Sequence, residues 1–210
     1  MQPIPDDAAV RRISAATVAL HRHGVLTRGA VTAEPFWSSF QPAYQVLARM
    51  EDQGAVRRGH VVEGLGAAQF ALPGAIDRVR ATGSDPGSDP VVLAACDPAN
   101  PYGAALPWPP TRGHRPSRKA GALVVIRDGR LVLFVERGAH TLLGVASASA
   151  DDLRAGLTAV ARLVQQGRLG PTSINRVDGE EALGHPVWGP LLEAAGFRMT
   201  PQGYRLRREH

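Results

Sequence analysis

Lysine is almost missing from this chain: Lys119 is the only one among 24 cationic side chains, and all the others are arginine. A phosphate-binding P-loop ends in Gly-Lys-Ser/Thr, but the one lysine here sits in Arg-Lys-Ala, so a Walker-type ATPase motor is excluded. A Schiff-base mechanism would have only Lys119 or the amino terminus to supply an amine. There is a single cysteine, Cys96, which rules out an internal disulfide and a multi-thiolate zinc site; its apolar flank VVLAAC predicts a buried, structural thiol. The seven histidines lack paired ligand spacing, and His21 and His23, two apart, face different sides of a helix, so no metal is expected. No apolar run approaches the roughly 18 residues of a membrane span, and MQPIPDDAAVRR opens with acids instead of a basic, then apolar, leader. A cytosolic protein is expected. GxSxG is absent as well, so there is no nucleophile elbow.

What is present is an ordinary globular composition, 44% hydrophobic over 210 residues, with a net charge of +5 and a pI near 10.3. Codon bias in a GC-rich genome explains an arginine excess, and guanidinium forks also suit phosphate recognition.

Residues 8–23 carry Val10, Ile13, Thr17 and Leu20 at helical spacing, with Asp6 and Asp7 as candidate caps and Gly24 as the stop. Thr27 caps a short second helix through Ala33. A third starts near Ser39, because Pro42 is tolerated only in a first turn, and presents Phe40, Tyr44, Leu47 and Met50 before Gly54. AVRRGHVV and AAQFALP then read as two strands joined through EGLG. Three helices and a hairpin make a winged helix over residues 1–81. Its third helix is the element offered to a DNA groove, with Arg28, Trp37, Ser38, Ser39 and Gln41 near its start and Arg57, Arg58 and His60 on the wing. Winged helices also serve as protein-binding modules, and that alternative stays open.

PGAIDRVRA adds a short helix, and TGSDPGSDP, residues 82–90, reads as a linker. Beyond it, VVLAACD, a hairpin in ALVVIRDGRLVLFVERG turning at Asp128 and Gly129, HTLLGVA and PTSINRV read as strands. Ser149 caps an amphipathic helix closed by Gly167, VWGPLLEAAGF is a shorter helix, and a turn, a strand and a charged tail follow. The fold class expected is α+β: a winged-helix domain, then a β-rich, barrel-like unit with flanking helices over residues 91–210.

The hairpin is reminiscent of Nudix hydrolases, but the magnesium-holding, carboxylate-rich helix should follow it, and DDLRAGLTAVARLVQQG is too sparse. Asp151 and Asp152 are better explained as first-turn acids facing the helix dipole. Within CDPANPYGAALPWPPTRGHRPSRKAG, Arg112, Arg115, Arg118 and Lys119 fall in eight residues without an acid and form a candidate phosphate-contacting loop. Tyr102 and Trp108 either stack on exposed bases or pack onto their own domain. Asp97 and Glu209 are the acids considered for activating a water.

GVLTRGAV, VVEGLGAAQFALPGAIDRVR, DPANPYGAALPWP and RKAGALVVIRDGRLVLFVERG, in that order, resemble the carboxyl-terminal region of bacterial large helicase-related (Lhr) proteins. Those are superfamily 2 ATP-dependent DNA helicases, and the resemblance runs over residues 10–207. It implies winged-helix modules plus a β-barrel-like module, more distantly similar to AlkZ-type DNA glycosylases, and a role in DNA repair. The motor motifs and a Gln-x-Gln signature are absent, so neither helicase nor glycosylase residues carry over. The reading that follows is a DNA-binding module of an Lhr-type helicase, either part of one or a stand-alone relative, with no catalytic residue, no cofactor and no metal of its own. Its partners would be DNA and a separate motor chain or another copy of itself, and not a membrane. A monofunctional DNA glycosylase and a protein-interaction or oligomerisation module are the alternatives.

Overall fold

The computed structural model describes residues 8–66, 68–82 and 88–208. Asp6, Asp7, the centre of the expected linker and Glu209 lie outside them. The chain divides into two compact units, one of residues 1–83 with 104–107 and one of residues 84–103 with 108–210. No described helix is long and apolar enough to cross a membrane.

The first unit runs α1 (Ala8–His23), β1 (Val25–Leu26), α2 (Arg28–Ala33), α3 (Phe40–Asp52), β2 (Arg57–Gly59), β3 (Gln69–Ala71) and α4 (Pro73–Thr82). The central strand β3 pairs antiparallel with both β1 and β2. Gly24 ends α1 at φ +71°, where its N–H reaches the Leu20 carbonyl at 2.8 Å. Thr27 caps α2 by accepting from the Ala30 N–H at 3.1 Å. Glu34, just past α2, receives both Arg22 (2.8 Å) and His23 (2.8 Å) from the end of α1, which fixes the two helices to each other.

Leu20, Leu26, Val31, Leu47 and Phe70 form the core, each burial contributing about 1.5–3 kcal/mol. The face of α1 that packs is Ala16, Ala19 and Leu20; Val10 and Ile13, expected inside, are about half exposed. Alanine lets the helices approach closely, so the small residues won the interior over the larger ones. Residues 104–107 belong to this unit through contacts that only glycine permits: a Cβ on Gly29 would lie 2.8 Å from the Ala105 carbonyl oxygen.

The second unit contains β4 (Val91–Ala94), β5 (Leu123–Arg127), β6 (Arg130–Val135), β7 (Thr141–Gly144), α5 (Ala150–Gln165), β8 (Thr172–Ile174), β9 (Arg176–Val177), β10 (Glu180–Glu181), α6 (Trp188–Ala194), β11 (Arg198–Thr200) and β12 (Gly203–Leu206). The barrel expectation fails here. One sheet has the order β10-β9-β7-β6-β5-β4 and the other β11-β12-β8; neither closes on itself. Only β7 and β9 run parallel, and PTSINRV, which reads as one strand, breaks at Asn175 so that its two halves serve different sheets. This break divides the strands into two open sheets.

The hairpin β5–β6 turns at Asp128 and Gly129, both at positive φ (49° and 73°), as a two-residue I′ turn requires. One face of this sheet packs Leu133, Val135 and Leu142 against Leu153, Leu157 and Val160 of α5; the other face carries Val124, Phe134 and Leu143 under Tyr102 and Trp108.

Candidate nucleic-acid interface

In the first unit, α3 begins at Ser39, which has the extended backbone of an N-cap but no side-chain capping bond. Ser38, Ser39 and Gln41 are exposed at this end, as expected. Gln45 and Arg49 continue from Gln41 at four-residue steps, giving α3 one exposed polar stripe that the sequence reading had not assembled. Trp37 is different: it is 7% exposed, packs with its ring edge-on to Phe36 and belongs to the core. The structure thus places Trp37 in the core, unlike Ser38, Ser39 and Gln41. An open pocket of about 300 Å³ beside it is lined by Arg11, Arg12, Phe36, Trp37, Ser38 and Pro42, which adds two α1 arginines to this end. The exposed Arg28 sits 5.1 Å from the Phe40 ring centroid.

On the wing, strand alternation separates two neighbours with opposite fates. Arg58 turns onto the domain: it pairs with Glu51 (2.6 Å), donates to the Tyr44 hydroxyl (2.8 Å) and lies over the Tyr44 and Phe70 rings. The bond from Glu51 raises the Arg58 pKa further above its usual value. Arg58 is thus a brace between α3 and β2, not an open cation. Arg57 points the other way, exposed and without an ion pair among the described residues, and His60 follows it, exposed.

The wing's shape comes from a residue that sequence patterning did not single out. Gln69, 1% exposed, accepts from the Val61 (3.0 Å) and Val62 (2.7 Å) N–H groups and donates to the carbonyls of Val62, Leu65 and Gly66. One buried amide thereby organises the whole loop between β2 and β3.

In the second unit, the 96–121 stretch, apart from residues 104–107, is a folded scaffold followed by a short exposed loop. Asp97 accepts from the Ala99 N–H (2.8 Å), an Asx turn that already occupies one carboxylate oxygen. Asn100 is buried, donating to Ala95 O (2.8 Å) and accepting from Tyr102 N (3.0 Å). Tyr102 donates its hydroxyl proton to Gly129 O (2.9 Å) and accepts from Leu131 N (3.1 Å), pinning the segment to the I′ hairpin. Its ring stacks near Trp108, which meets Phe134 edge-on. Gly103, at φ +75°, is obligatory because a Cβ would overlap the Trp108 indole. Both aromatics pack on their own domain.

Arg118 is engaged by the fold. Its guanidinium donates to Asn100 O (2.7 Å), Tyr102 O (3.0 Å) and Asp97 O (2.9 Å), closing the 97–102 turn from outside instead of facing phosphate. Arg112, Arg115 and Lys119 remain exposed, with no side-chain ion pair among the described residues, while His114 pairs with Glu136 at 2.6 Å. Cys96 is exposed, not buried, because the apolar run ends at Ala95 and the chain turns there.

Among the other acids, Asp178 is fully engaged: it accepts from the Gly144 N–H (2.7 Å) and from Nε1 of the buried Trp188 (2.8 Å). Among the described residues no group of three His, Cys, Asp or Glu is arranged to hold a metal ion.

A unit of four helices with a three-stranded sheet, in the same chain as an α+β unit of two open sheets, defines a winged-helix protein. Residues 5–91 match the winged-helix domain of large helicase-related proteins. The chain is 46% identical over 213 residues to the Lhr helicase/probable uracil glycosylase of Mycolicibacterium smegmatis, and 37% identical over 212 residues to the Lhr helicase/uracil glycosylase of Escherichia coli. These alignments cover 96% and 97% of the chain but 14% of each relative. The chain belongs to the large helicase-related family and spans a small part of the length of these relatives.

Proposed function

We propose that the chain is a DNA-binding module of an Lhr-type repair helicase, with no ATPase site of its own. The observation that carries this reading is the first unit, a winged helix related to those helicases in which α3 exposes Gln41, Gln45 and Arg49 and the wing exposes Arg57 and His60. An exposed helix and wing is the arrangement by which such domains enter a DNA groove. Arg112, Arg115 and Lys119 of the second unit add phosphate contacts without sequence preference. Fluorescence anisotropy with duplex DNA across a salt series tests this: the logarithm of the binding constant should fall linearly with the logarithm of salt concentration. Absent or salt-indifferent binding would leave a protein-interaction module as the better description.

A second reading, a DNA glycosylase acting on uracil, is favoured by the names of both relatives, an Lhr helicase/probable uracil glycosylase and an Lhr helicase/uracil glycosylase. Incubation with a uracil-containing oligonucleotide, then alkaline cleavage of abasic sites, tests it; strand breaks no higher than in buffer dismiss it for that base.

A further inference from the structure

Residues 35–48, which run from the turn before α3 into its body, carry no charged side chain, in a chain of which 20% is charged. The end of α3 that a winged helix turns toward DNA is therefore polar without being cationic. Arg49, the first cation on this helix, comes only in its last turn, and the exposed Asp52 follows it. What the amino-terminal half does expose is Gln41 and Gln45, one turn apart on one face. Neither amide has a hydrogen-bond partner among the described residues. Ala43 and Leu47 make the buried face on the opposite side, so packing makes no demand on either glutamine. Pro42, in the first turn, has no N–H, which removes one of the free backbone donors with which a helix start holds phosphate.

A surface built only to hold phosphate would be served by arginine, the residue that supplies nearly every cation of this chain. A carboxamide does something else against DNA: it discriminates bases. Its Oε1 accepts from the N6 amino group of adenine while its Nε2 donates to N7, the bidentate pairing of glutamine in the major groove. Gln41 and Gln45 are about 6 Å apart along the helix axis, at about 1.5 Å per residue. Successive bases of one strand are about 3.4 Å apart along the duplex axis, so the two amides span about two base steps.

We infer that α3 reads adenine in the major groove of duplex DNA through Gln41 and Gln45, which adds a base preference to the phosphate contacts. The inference rests on the proposed DNA-binding function. Its test is anisotropy with a labelled duplex whose purine strand repeats A-G, so that adenines recur two steps apart, and with the same duplex in which 7-deazaadenine replaces every adenine. The two duplexes share charge and Watson–Crick pairing and differ in the N7 acceptor. The unaltered chain should bind the adenine duplex about fivefold or more tightly, the low end of what a bidentate base contact discriminates. Gln41→Ala/Gln45→Ala should bind both duplexes alike, and no more tightly than the unaltered chain binds the 7-deazaadenine duplex. Its salt slope should equal that of the unaltered chain, since no charge is altered. Both positions are exposed and alanine is a strong helix former, so matching thermal melts are expected.

Equal, salt-dependent binding of the two duplexes by the unaltered chain would overturn the adenine readout and leave the DNA-binding reading standing. A preference that survives in the alanine variant would overturn it as well, because other residues would then be reading the base. If the unaltered chain shows no salt-dependent binding, the underlying reading fails first.

Discussion

Arg118 and Arg115 sit three residues apart in one basic loop, yet they belong to different problems. Arg118 satisfies three carbonyls of the 97–102 turn, so Arg118→Ala should destabilise the second unit by about 1.5–3 kcal/mol, the range for hydrogen bonds to a charged group. Urea denaturation measures this, and the salt slope of DNA binding should stay unchanged for the folded variant. Arg115→Ala should do the reverse: no measurable change in stability and a loss of about one unit of slope on duplex DNA. Lys119 is expected to behave like Arg115. Asp178 gives a second residue-level test. Asp178→Ala strands the Gly144 N–H and the Trp188 indole N–H, and a cost of about 2–3 kcal/mol is expected in denaturation. Asp178 also sits at φ +53°, a conformation that asparagine adopts more readily than alanine, so Asp178→Asn should lose less stability than Asp178→Ala.

At the scale of elements, α5 links a local signal to pH. Ser149 and Asp152 form a reciprocal capping box, with Ser149 N donating to Asp152 at 3.1 Å and Asp152 N donating to Ser149 Oγ at 3.1 Å. Burial alone would raise the Asp152 pKa, but the Ser149 hydrogen bonds together with Arg130 and Arg127 outweigh it and lower the value. A depressed carboxylate contributes stability that is complete above its unfolded value, about 3.9, and is lost as pH falls through the lower folded value. Asp152→Asn should therefore cost about 1 kcal/mol at neutral pH, and thermal melts should show a shallower acid decline than the unaltered chain's.

The same element shows why much of the fold could be read in advance. Caps, glycine stops and the Asp-Gly turn are local instructions, and α2, α3, α5 and the β5–β6 hairpin all follow them. The barrel could not be read correctly because closure depends on which strands pair at long range. No local feature of PTSINRV announces that Asn175 separates two sheets. The site was legible by charge but not by orientation. Arg57 and Arg58 look equivalent as neighbours, and only the strand's face separates an exposed cation from a brace on Tyr44 and Glu51. Gln69 was invisible for a related reason. A glutamine's value lies in five partners spread over six residues of loop, which no periodicity encodes. Gln69→Ala should collapse the wing, with denaturation showing a loss of about 2–3 kcal/mol for the stranded buried groups.

For the molecule as a whole, the number of cations available to DNA is smaller than the composition suggests. The chain carries 24 cationic and 19 acidic side chains, but Arg58 and Arg118 are consumed by the fold, and Arg127 bridges Asp151 and Asp152. Four exposed cations are the phosphate contacts of the proposed function: Arg57, Arg112, Arg115 and Lys119. If all four engage one duplex, the slope of log binding constant against log salt should be about −3.6, at roughly 0.9 per contact. The two places that hold them, the wing and the 112–119 loop, share no side-chain partners. Their losses should therefore add: about one unit for Arg57→Ala and between two and three for Arg112→Ala/Arg115→Ala/Lys119→Ala. Losses that sum to far more than the unaltered slope would mean that the surfaces depend on one another for engagement. A slope near −1 would mean that most of these arginines serve solubility, and that the +5 charge is not directed at DNA.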